Sequence, residues 1–269
     1  MSERSLMAST LVAPTTRSLS GIDLEVVERG AGRPILLLHG AGGPRGNAPF
    51  MDLLDRHGRV VAPSHPGFGG SPLPDWVNGV DDLAYLYLEL LDQLDWHDVI
   101  LIGMSMGGWT ACEIATKSCA RLAKLILVDP VGIKVGDRET RDLPDVYALH
   151  PDEVNKLMMY DPSKAPDYSK LSDDELLAVA KNREAAVLYL WEPYMHNPQL
   201  RRRLHRITVP TLLVRGEADG LVSDAYARAY AASIPGAIYD VIPKAGHSPQ
   251  NENPEAFVER VARFIEQGT

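Results

Sequence analysis

The chain has 269 residues, of which 45% are hydrophobic, and it carries a formal net charge of −9. This length and composition suit one large α/β domain with a sizeable buried core, with or without an insertion. The acidic balance argues against a nucleic-acid binding protein, which normally presents a basic face, and no apolar run reaches membrane-spanning length.

The sequence predicts an antiparallel hairpin near the start of the chain, followed by a series of short buried strands. TRSLSGIDLEVVERG (16–30) holds two strand-like runs around Ser20-Gly21, which is typical of a hairpin at a sheet edge. Short, densely apolar runs then recur, and such runs suit strands that are buried on both faces of a parallel sheet. They are ILLL (35–38), VVA (60–62), VILI (99–102), LILV (125–128), TLLV (211–214) and YDVI (239–242).

Helix-like patterns separate these runs. VDDLAYLYLELLDQL (80–94) and ENPEAFVERVARFIEQ (252–267) repeat apolar residues at intervals of three and four, and MGGWTACEIATKSCARLAKL (106–125) is also predicted to be helical. Because strands alternate with helices, the sequence predicts right-handed βαβ units and a doubly wound α/β sheet.

The alternation of strands and helices breaks between about residues 133 and 206. This segment has no strand-like run, but it has several prolines and helix-like pieces such as SDDELLAVAKNREAAVLYLW (172–191). We therefore predict a core formed by residues 1–132 and 207–269 and a helical cap formed by residues 133–206. The cap would lie over the carboxyl ends of the strands, where ligands bind in open α/β sheets.

The predicted cap is rich in large apolar side chains. We expect most of them to form its own core and a minority to line an apolar acyl or alcohol pocket. They are Met158, Met159, Tyr160, Tyr189, Trp191, Tyr194 and Met195.

The stretch LIGMSMGGWTA (101–111) places Ser105 where a predicted strand turns into a predicted helix. Gly103 and Gly107 suit this sharp turn, because side chains there would crowd the backbone. The turn would lift the Ser105 Oγ above the sheet and place it at a helix N-terminus, where free N–H groups face a bound molecule. Ser105 is therefore a candidate nucleophile.

A serine nucleophile needs a base within hydrogen-bonding reach and an acid that orients the base. Asp219 follows one predicted strand in LLVRGEADGLVS, and His247 follows the next in VIPKAGHSPQNENP. Both would lie at the carboxyl edge of the sheet, on the same side as Ser105.

Together these features resemble the α/β-hydrolase fold superfamily over nearly the whole chain, with nucleophile, acid and base in the order Ser105, Asp219, His247. The resemblance implies a mostly parallel eight-stranded sheet with a helical cap, and catalytic roles for these three residues. The motifs that carry it are LLLHGAGG (36–43) for the oxyanion loop, SHPGFGGSPLP (64–74) for the turn after the next strand, GMSMGG (103–108) for the nucleophile elbow, and RGEADGLV and AGHSPQNENPEAF for the acid and histidine loops.

The acid has one alternative. Asp129, in LVDPVG, follows the strand after the elbow helix, and some members of the superfamily carry their acid there. Asp219 is preferred because it opens a loop at the position that is commonest in the superfamily.

An acyl-transfer enzyme must also stabilise the oxyanion of its tetrahedral intermediate. The resemblance implies that the donors are the backbone N–H groups of Met106 and of Ala41, the residue after His39-Gly40. His39 is interpreted as a brace of this loop rather than as a second base, and His65 is expected to be structural.

The sequence offers no motif for a bound group. No two histidines have the spacing of a metal site, Cys112 and Cys119 match neither a disulfide nor a metal spacing, and GFGGS lacks the lysine of a phosphate-binding loop. We therefore expect no cofactor, no metal, no nucleic-acid or membrane partner, and a small-molecule ester as substrate. MSERSLMAST lacks the features of a secretory signal, so we expect a cytoplasmic protein, and a homodimer is one candidate oligomeric state.

The reaction is narrowed by the residues around the motifs. In this superfamily, dehalogenases and epoxide hydrolases carry aspartate where this chain has Ser105, which leaves ester hydrolysis, lactone opening and hydrolysis of carbon–carbon bonds in aromatic ring-cleavage products. The carbon–carbon hydrolases usually have Asn where this chain has Met104, Trp where it has Ser248, and an oxyanion-loop proline two residues before Pro44. We therefore predict a carboxylesterase acting on small to medium, largely apolar esters, with lactonase or carbon–carbon hydrolase as the alternative and a ligand-sensing receptor as the non-enzymatic one.

Overall fold

The computed structural model describes residues 11–267, and its centre is an eight-stranded sheet in the order β1-β2-β4-β3-β5-β6-β7-β8. β1 and β2 pair antiparallel, β2 pairs antiparallel with β4, and every pairing from β4 to β8 is parallel. The predicted doubly wound, mostly parallel sheet is confirmed. The strands are β1 Thr15–Leu19, β2 Ile22–Arg29, β3 Pro34–Leu38, β4 Arg59–Pro63, β5 Val99–Met104, β6 Leu122–Val128, β7 Thr211–Gly216 and β8 Ile238–Ile242.

The predicted hairpin is confirmed at one edge of the sheet. Ser20 and Gly21 both have positive φ, at 48° and 79°, which is the backbone of the two-residue turn that matches strand twist. The hairpin therefore caps the edge with an antiparallel pair, and the parallel strands that follow are left to form the centre.

Helices cover both faces of the sheet. Side chains of β5 alternate between the faces: Val99 and Leu101 belong to the apolar cluster that includes side chains of the helices over 80–93, 106–117 and 224–232, whereas Ile100 and Ile102 belong to the cluster that includes those of the helices over 51–54 and 254–266. The helices are α1 Met51–Leu54, α2 Val80–Gln93, α3 Met106–Lys117, α4 Pro151–Met158, α5 Asp173–Leu190, α6 Leu200–Arg203, α7 Asp224–Ala232, α8 Pro249–Glu252 and α9 Pro254–Glu266, with single 3-10 turns at Pro162–Lys164, Tyr168–Lys170 and Leu204–Arg206.

Two predicted helices were drawn too long. The helix predicted over 106–125 ends at Lys117, because the apolar run from Leu122 pairs with β5 and continues as β6. The helix predicted over 252–267 is two helices, because Pro254 cannot continue α8 and instead occupies the first turn of α9.

Residues 133–206, called the insertion below, join β6 to β7 and contain α4, α5 and α6. Their separation from the core as a cap stays a prediction. Cys112 is buried, Cys119 is half-buried, and both are free, as expected. Over residues 11–267 no helix is both long and apolar enough to cross a bilayer. The segment MSERSLMAST, on which the expectation about secretion rests, lies outside the described residues.

Candidate active site

The candidate residues lie on loops that leave the carboxyl ends of β3, β4, β5, β7 and β8. Parallel strands bring these ends to one edge of the sheet, so residues far apart in sequence become neighbours. We call these segments the edge loops. They are residues 39–44, 64–71, 105–106, 216–222 and 245–248.

Ser105 occupies a strained turn between β5 and α3. Its backbone has φ 52° and ψ −112°, outside the regions that non-glycine residues favour, and such conformations cost about 1–3 kcal/mol. A Cβ on Gly103 would overlap the Gly107 carbonyl oxygen, and a Cβ on Gly107 would overlap that of Leu38. Both predicted glycines are therefore required by close backbone contacts that hold the turn.

The structure brings Ser105, His247 and Asp219 into one hydrogen-bonded series. His247 Nε2 lies 2.9 Å from Ser105 Oγ, and His247 Nδ1 lies 2.7 Å from Asp219 Oδ2. Since the Asp219 carboxylate only accepts, Nδ1 carries the proton and Nε2 is left free to accept from the serine hydroxyl. An imidazole held in this way can take the Oγ proton while Oγ attacks a carbonyl carbon.

Asp219 is buried and bonded on both oxygens. Its Oδ1 accepts from the Leu221 N–H at 2.8 Å and from the Val222 N–H at 3.0 Å, while Oδ2 faces His247. Burial opposes ionisation of Asp219, but the charge and hydrogen bond of His247 outweigh it and hold the pKa of the carboxyl below its usual value. Of the two candidate acids, Asp219 is the one that contacts His247 directly.

His39 and His65 brace the loop that carries Ala41. His39 Nε2 accepts from the His65 N–H at 3.0 Å, so its Nδ1 holds the proton and donates to the Gly40 carbonyl at 2.7 Å. His65 in turn donates from Nε2 to the His39 carbonyl at 2.9 Å and accepts from the Tyr87 hydroxyl. Burial lowers the pKa of His65 to about 4 and the pKa of His39 well below its usual value, so both rings are neutral.

These hydrogen bonds fix the peptide group between Gly40 and Ala41, whose N–H is a predicted oxyanion donor. The Gly40 carbonyl and the Ala41 N–H belong to one trans peptide, so holding the carbonyl also fixes the direction of the N–H. A Cβ on Gly40 would lie 3.0 Å from the Ser105 Cβ, which places this peptide directly against the elbow. Met106, the second predicted donor, is the first residue of α3, where N–H groups lack an intrahelical acceptor. The oxyanion roles of Ala41 and Met106 remain predictions.

The insertion touches the site through main-chain atoms that the sequence did not single out. The Leu157 carbonyl, near the end of α4, accepts from the Gly220 N–H at 2.8 Å, and the Met158 carbonyl accepts from the His247 N–H at 2.7 Å. The end of α4 thereby holds both the acid loop and the histidine loop. Any residue type has a carbonyl, so no residue pattern could have indicated this contact.

The apolar side chains of the insertion divide between interior and surface. Tyr189 and Met195 are buried, but Tyr160 and Trp191 are about half exposed, so neither belongs to a buried cap core. Trp109, in α3, is also buried. A cavity of about 710 Å³ opens between residues 133–143 and 192–198, and neither Ser105 nor His247 lines it.

Among residues 11–267, the side chains close enough to hold a metal ion together are those of Asp129, Asp219 and His247. Their ligand atoms lie within 4.8 Å of one another. The 2.7 Å contact between Asp219 Oδ2 and His247 Nδ1 is a direct hydrogen bond, which already occupies both atoms. The expectation that no metal or cofactor takes part stays a prediction.

Two curated relatives are, by name, hydrolases of hydroxy-oxo-dienoic acids. The 2-hydroxy-6-oxo-2,4-heptadienoate hydrolase of Pseudomonas putida is 33% identical over 162 residues, which cover 57% of this chain and 56% of the relative. The 2-hydroxy-6-oxo-6-(2'-aminophenyl)hexa-2,4-dienoic acid hydrolase of Metapseudomonas resinovorans is 26% identical over 91% of this chain and 88% of its own length.

Solved structures share the fold at low sequence identity. The crystal structure of a meta-cleavage product hydrolase, CumD, matches with a TM-score of 0.78 and 21% identity over 95% of this chain and 99% of its own. Esterases also occur among the similar structures, and at such identities the likeness shows the fold alone. A sequence model of the alpha/beta hydrolase family matches residues 35–260, most of the chain. This chain belongs to the alpha/beta hydrolase family.

Proposed function

We propose that this hydrolase cleaves carboxylic esters of small to medium, largely apolar substrates through an acyl-enzyme on Ser105. The observation that carries the role of Ser105 as nucleophile is the unbroken series from Asp219 Oδ2 to His247 Nδ1, at 2.7 Å, and from His247 Nε2 to Ser105 Oγ, at 2.9 Å. This is the arrangement that activates a serine hydroxyl at neutral pH.

The reaction would proceed in two steps. Ser105 Oγ attacks the ester carbonyl carbon while its proton passes to His247 Nε2, and the resulting oxyanion accepts from the N–H groups of Ala41 and Met106. The imidazolium then gives that proton to the leaving alkoxide as the carbon–oxygen bond breaks, and an acyl-enzyme and an alcohol result. Water, deprotonated by the same histidine, attacks the acyl carbon and releases the acid with regeneration of the serine.

Hydrolysis of carbon–carbon bonds is the second candidate, and the names of the relatives favour it. The residues at two positions favour ester hydrolysis instead. Met104 is buried in the apolar cluster beneath the sheet edge, so no polar side chain precedes Ser105, and Ser248 follows His247 where that group usually carries tryptophan. The ester proposal rests on these differences, because the series of three residues suits both reactions.

Kinetics on both substrate classes would test the assignment. With p-nitrophenyl butyrate we expect a burst of p-nitrophenol followed by steady turnover, and turnover of 2-hydroxy-6-oxo-2,4-heptadienoate at a far lower kcat/KM. Ser105→Ala should lower kcat by roughly 10⁶-fold, whereas the exposed Ser18→Ala should change nothing.

The opposite preference would assign carbon–carbon hydrolysis to the site. If neither esters nor dienoates were turned over by the wild-type protein, while it bound ligands in this site, the hydrolase mechanism would be refuted in favour of a receptor.

A further inference from the structure

A second carboxyl group lies beside the acid of the proposed series. Asp129 follows β6, is fully buried, and has ligand atoms within 4.8 Å of those of Asp219 and His247. The mechanism above gives this side chain no part. A buried carboxyl so close to a second one requires a physical account, because two like charges there repel and neither is solvated.

The two carboxyl groups differ in the donors that surround them. Asp219 accepts from two backbone N–H groups and from His247, as described above. Among residues 11–267, the two oxygens of Asp129 share a single donor, the Gly216 N–H, at 3.1 and 3.2 Å. Several hydrogen-bond donors stabilise the ionised form of a carboxyl group. When two carboxyl groups lie side by side and only one can be ionised, the one with a single shared donor therefore takes up the proton.

Arg215 forms no ion pair with either carboxyl group among the described residues. The Arg215 guanidinium donates to main-chain carbonyls, from Nε to Val222 at 2.7 Å, from Nη1 to Glu217 at 3.2 Å, and from Nη2 to Asp219. In the part of the chain that the structure describes, neither Asp129 nor Asp219 forms a salt bridge with lysine or arginine. The titratable and charged groups that face Asp129 are therefore Asp219, His247 and the more distant charge of Arg215.

We propose that Asp129 is a neutral carboxylic acid that donates a hydrogen bond to the Asp219 carboxylate and holds it in position for His247. Asp129 is then a positioning residue. Its effect on rate rests on the proposed function, but its protonation state does not depend on which reaction the site performs. The pair carries one negative charge, which is the charge that an imidazolium at His247 requires during the reaction.

The direction of both ionisations agrees with this assignment. Burial, and then the charge of Asp219, raise the pKa of Asp129 well above its usual value. The pKa of Asp219 is lowered, against its burial, by His247 and by the hydrogen bond with Asp129. Such a pair shares its proton and titrates as a unit, with the proton residing mainly on Asp129.

Infrared difference spectroscopy of the whole protein would detect the proton without any reliance on activity. At neutral pH the wild-type spectrum minus that of Asp129→Asn should contain the C=O band of a protonated carboxyl. Asparagine keeps the shape and tolerates the positive φ of 43° at this position, so the fold is expected to survive. A difference spectrum that contains only a carboxylate band would overturn the proposal, whatever reaction the site performs.

Kinetics would then separate positioning from charge. Asp129→Asn keeps a donor for Asp219, so kcat should stay within about threefold of wild type, while Asp129→Ala removes the donor and should lower kcat about tenfold. In both variants the midpoint of the acid limb of kcat/KM against pH should move by less than about half a unit, because no charge is removed. A shift of that midpoint by about one unit to lower pH in Asp129→Asn would show an ionised Asp129 and contradict the proposal.

Discussion

The edge loops bury polar side chains, whereas the insertion exposes apolar ones. In the edge loops His39, His65 and Asp219 are buried, and every polar atom of these side chains that bears on the site has a partner. In the insertion, Leu177 of α5 and Trp191, which directly follows α5, are instead exposed to solvent over 69% and 56% of their surface. The contrast indicates that the edge loops are preorganised for one chemistry, whereas the insertion is free to vary with the substrate.

The two regions meet at specific hydrogen bonds. The Leu157 and Met158 carbonyls hold the acid and histidine loops, and the Tyr189 hydroxyl donates to the Pro66 carbonyl at 3.0 Å. A change in the insertion should therefore affect the edge loops only at such a point of contact.

Among the substitutions that compare the two regions, the largest effect is expected at Asp219. Asp219→Asn should lower kcat on esters by roughly 10⁴-fold, because an amide cannot keep the proton on His247 Nδ1 and the ring presents the wrong nitrogen to Ser105. Thermal denaturation should show a folded protein, and Asp129→Asn is the matched control. Near-normal turnover by Asp219→Asn would assign the acid role to Asp129 and would contradict the conclusion that the edge loops are preorganised.

The sequence predicts these edge residues because each one lies within a few residues of the end of a short apolar run. Ser105, Asp219 and His247 all follow strands, and parallel strands end at the same edge, so strand positions alone bring them together. By the same logic Asp129 and Asp219 follow the neighbouring strands β6 and β7. They were treated as alternatives, although the pairing of these strands already makes them neighbours.

A smaller effect should separate the buried histidines from the exposed ones. His65 is neutral in the folded protein down to about pH 4, whereas an unfolded histidine takes up a proton near pH 6.5. The stabilisation is therefore complete above about pH 6.5 and is lost as pH falls towards 4, by about 3 kcal/mol. Urea denaturation across this range should show the loss.

Two substitutions assign that loss to the edge loops. His65→Gln should be less stable at pH 7 but should lose less stability between pH 7 and 4 than the wild type. His205→Gln, at an exposed site in the insertion, should follow the wild-type curve. Equal slopes in wild type and His65→Gln would mean that another group causes the acid sensitivity.

The insertion was harder to predict, because its contacts with the core depend on main-chain atoms and on which helix face is covered. Most of the seven large apolar residues of the predicted cap are expected in its core, but Tyr160 and Trp191 are about half exposed. α5 has apolar residues on all sides, so periodicity cannot identify its buried face. The predicted boundary between α3 and β6 was wrong for a related reason. The segment ARLAKL fits both a helix and a strand, and only its pairing with β5 shows that it forms a strand.

The smallest effect tests the contrast within one helix. Tyr189→Phe keeps the ring stacked on Phe68 but leaves the buried Pro66 carbonyl without its donor, so we expect a loss of about 1 kcal/mol in unfolding free energy. Leu188→Gln, on the neighbouring exposed position of α5, should change it by less than about 0.5 kcal/mol. If Leu188→Gln costs as much as Tyr189→Phe, the exposed face of α5 is covered in solution. Sedimentation of both variants would then show whether a second copy of the chain covers it.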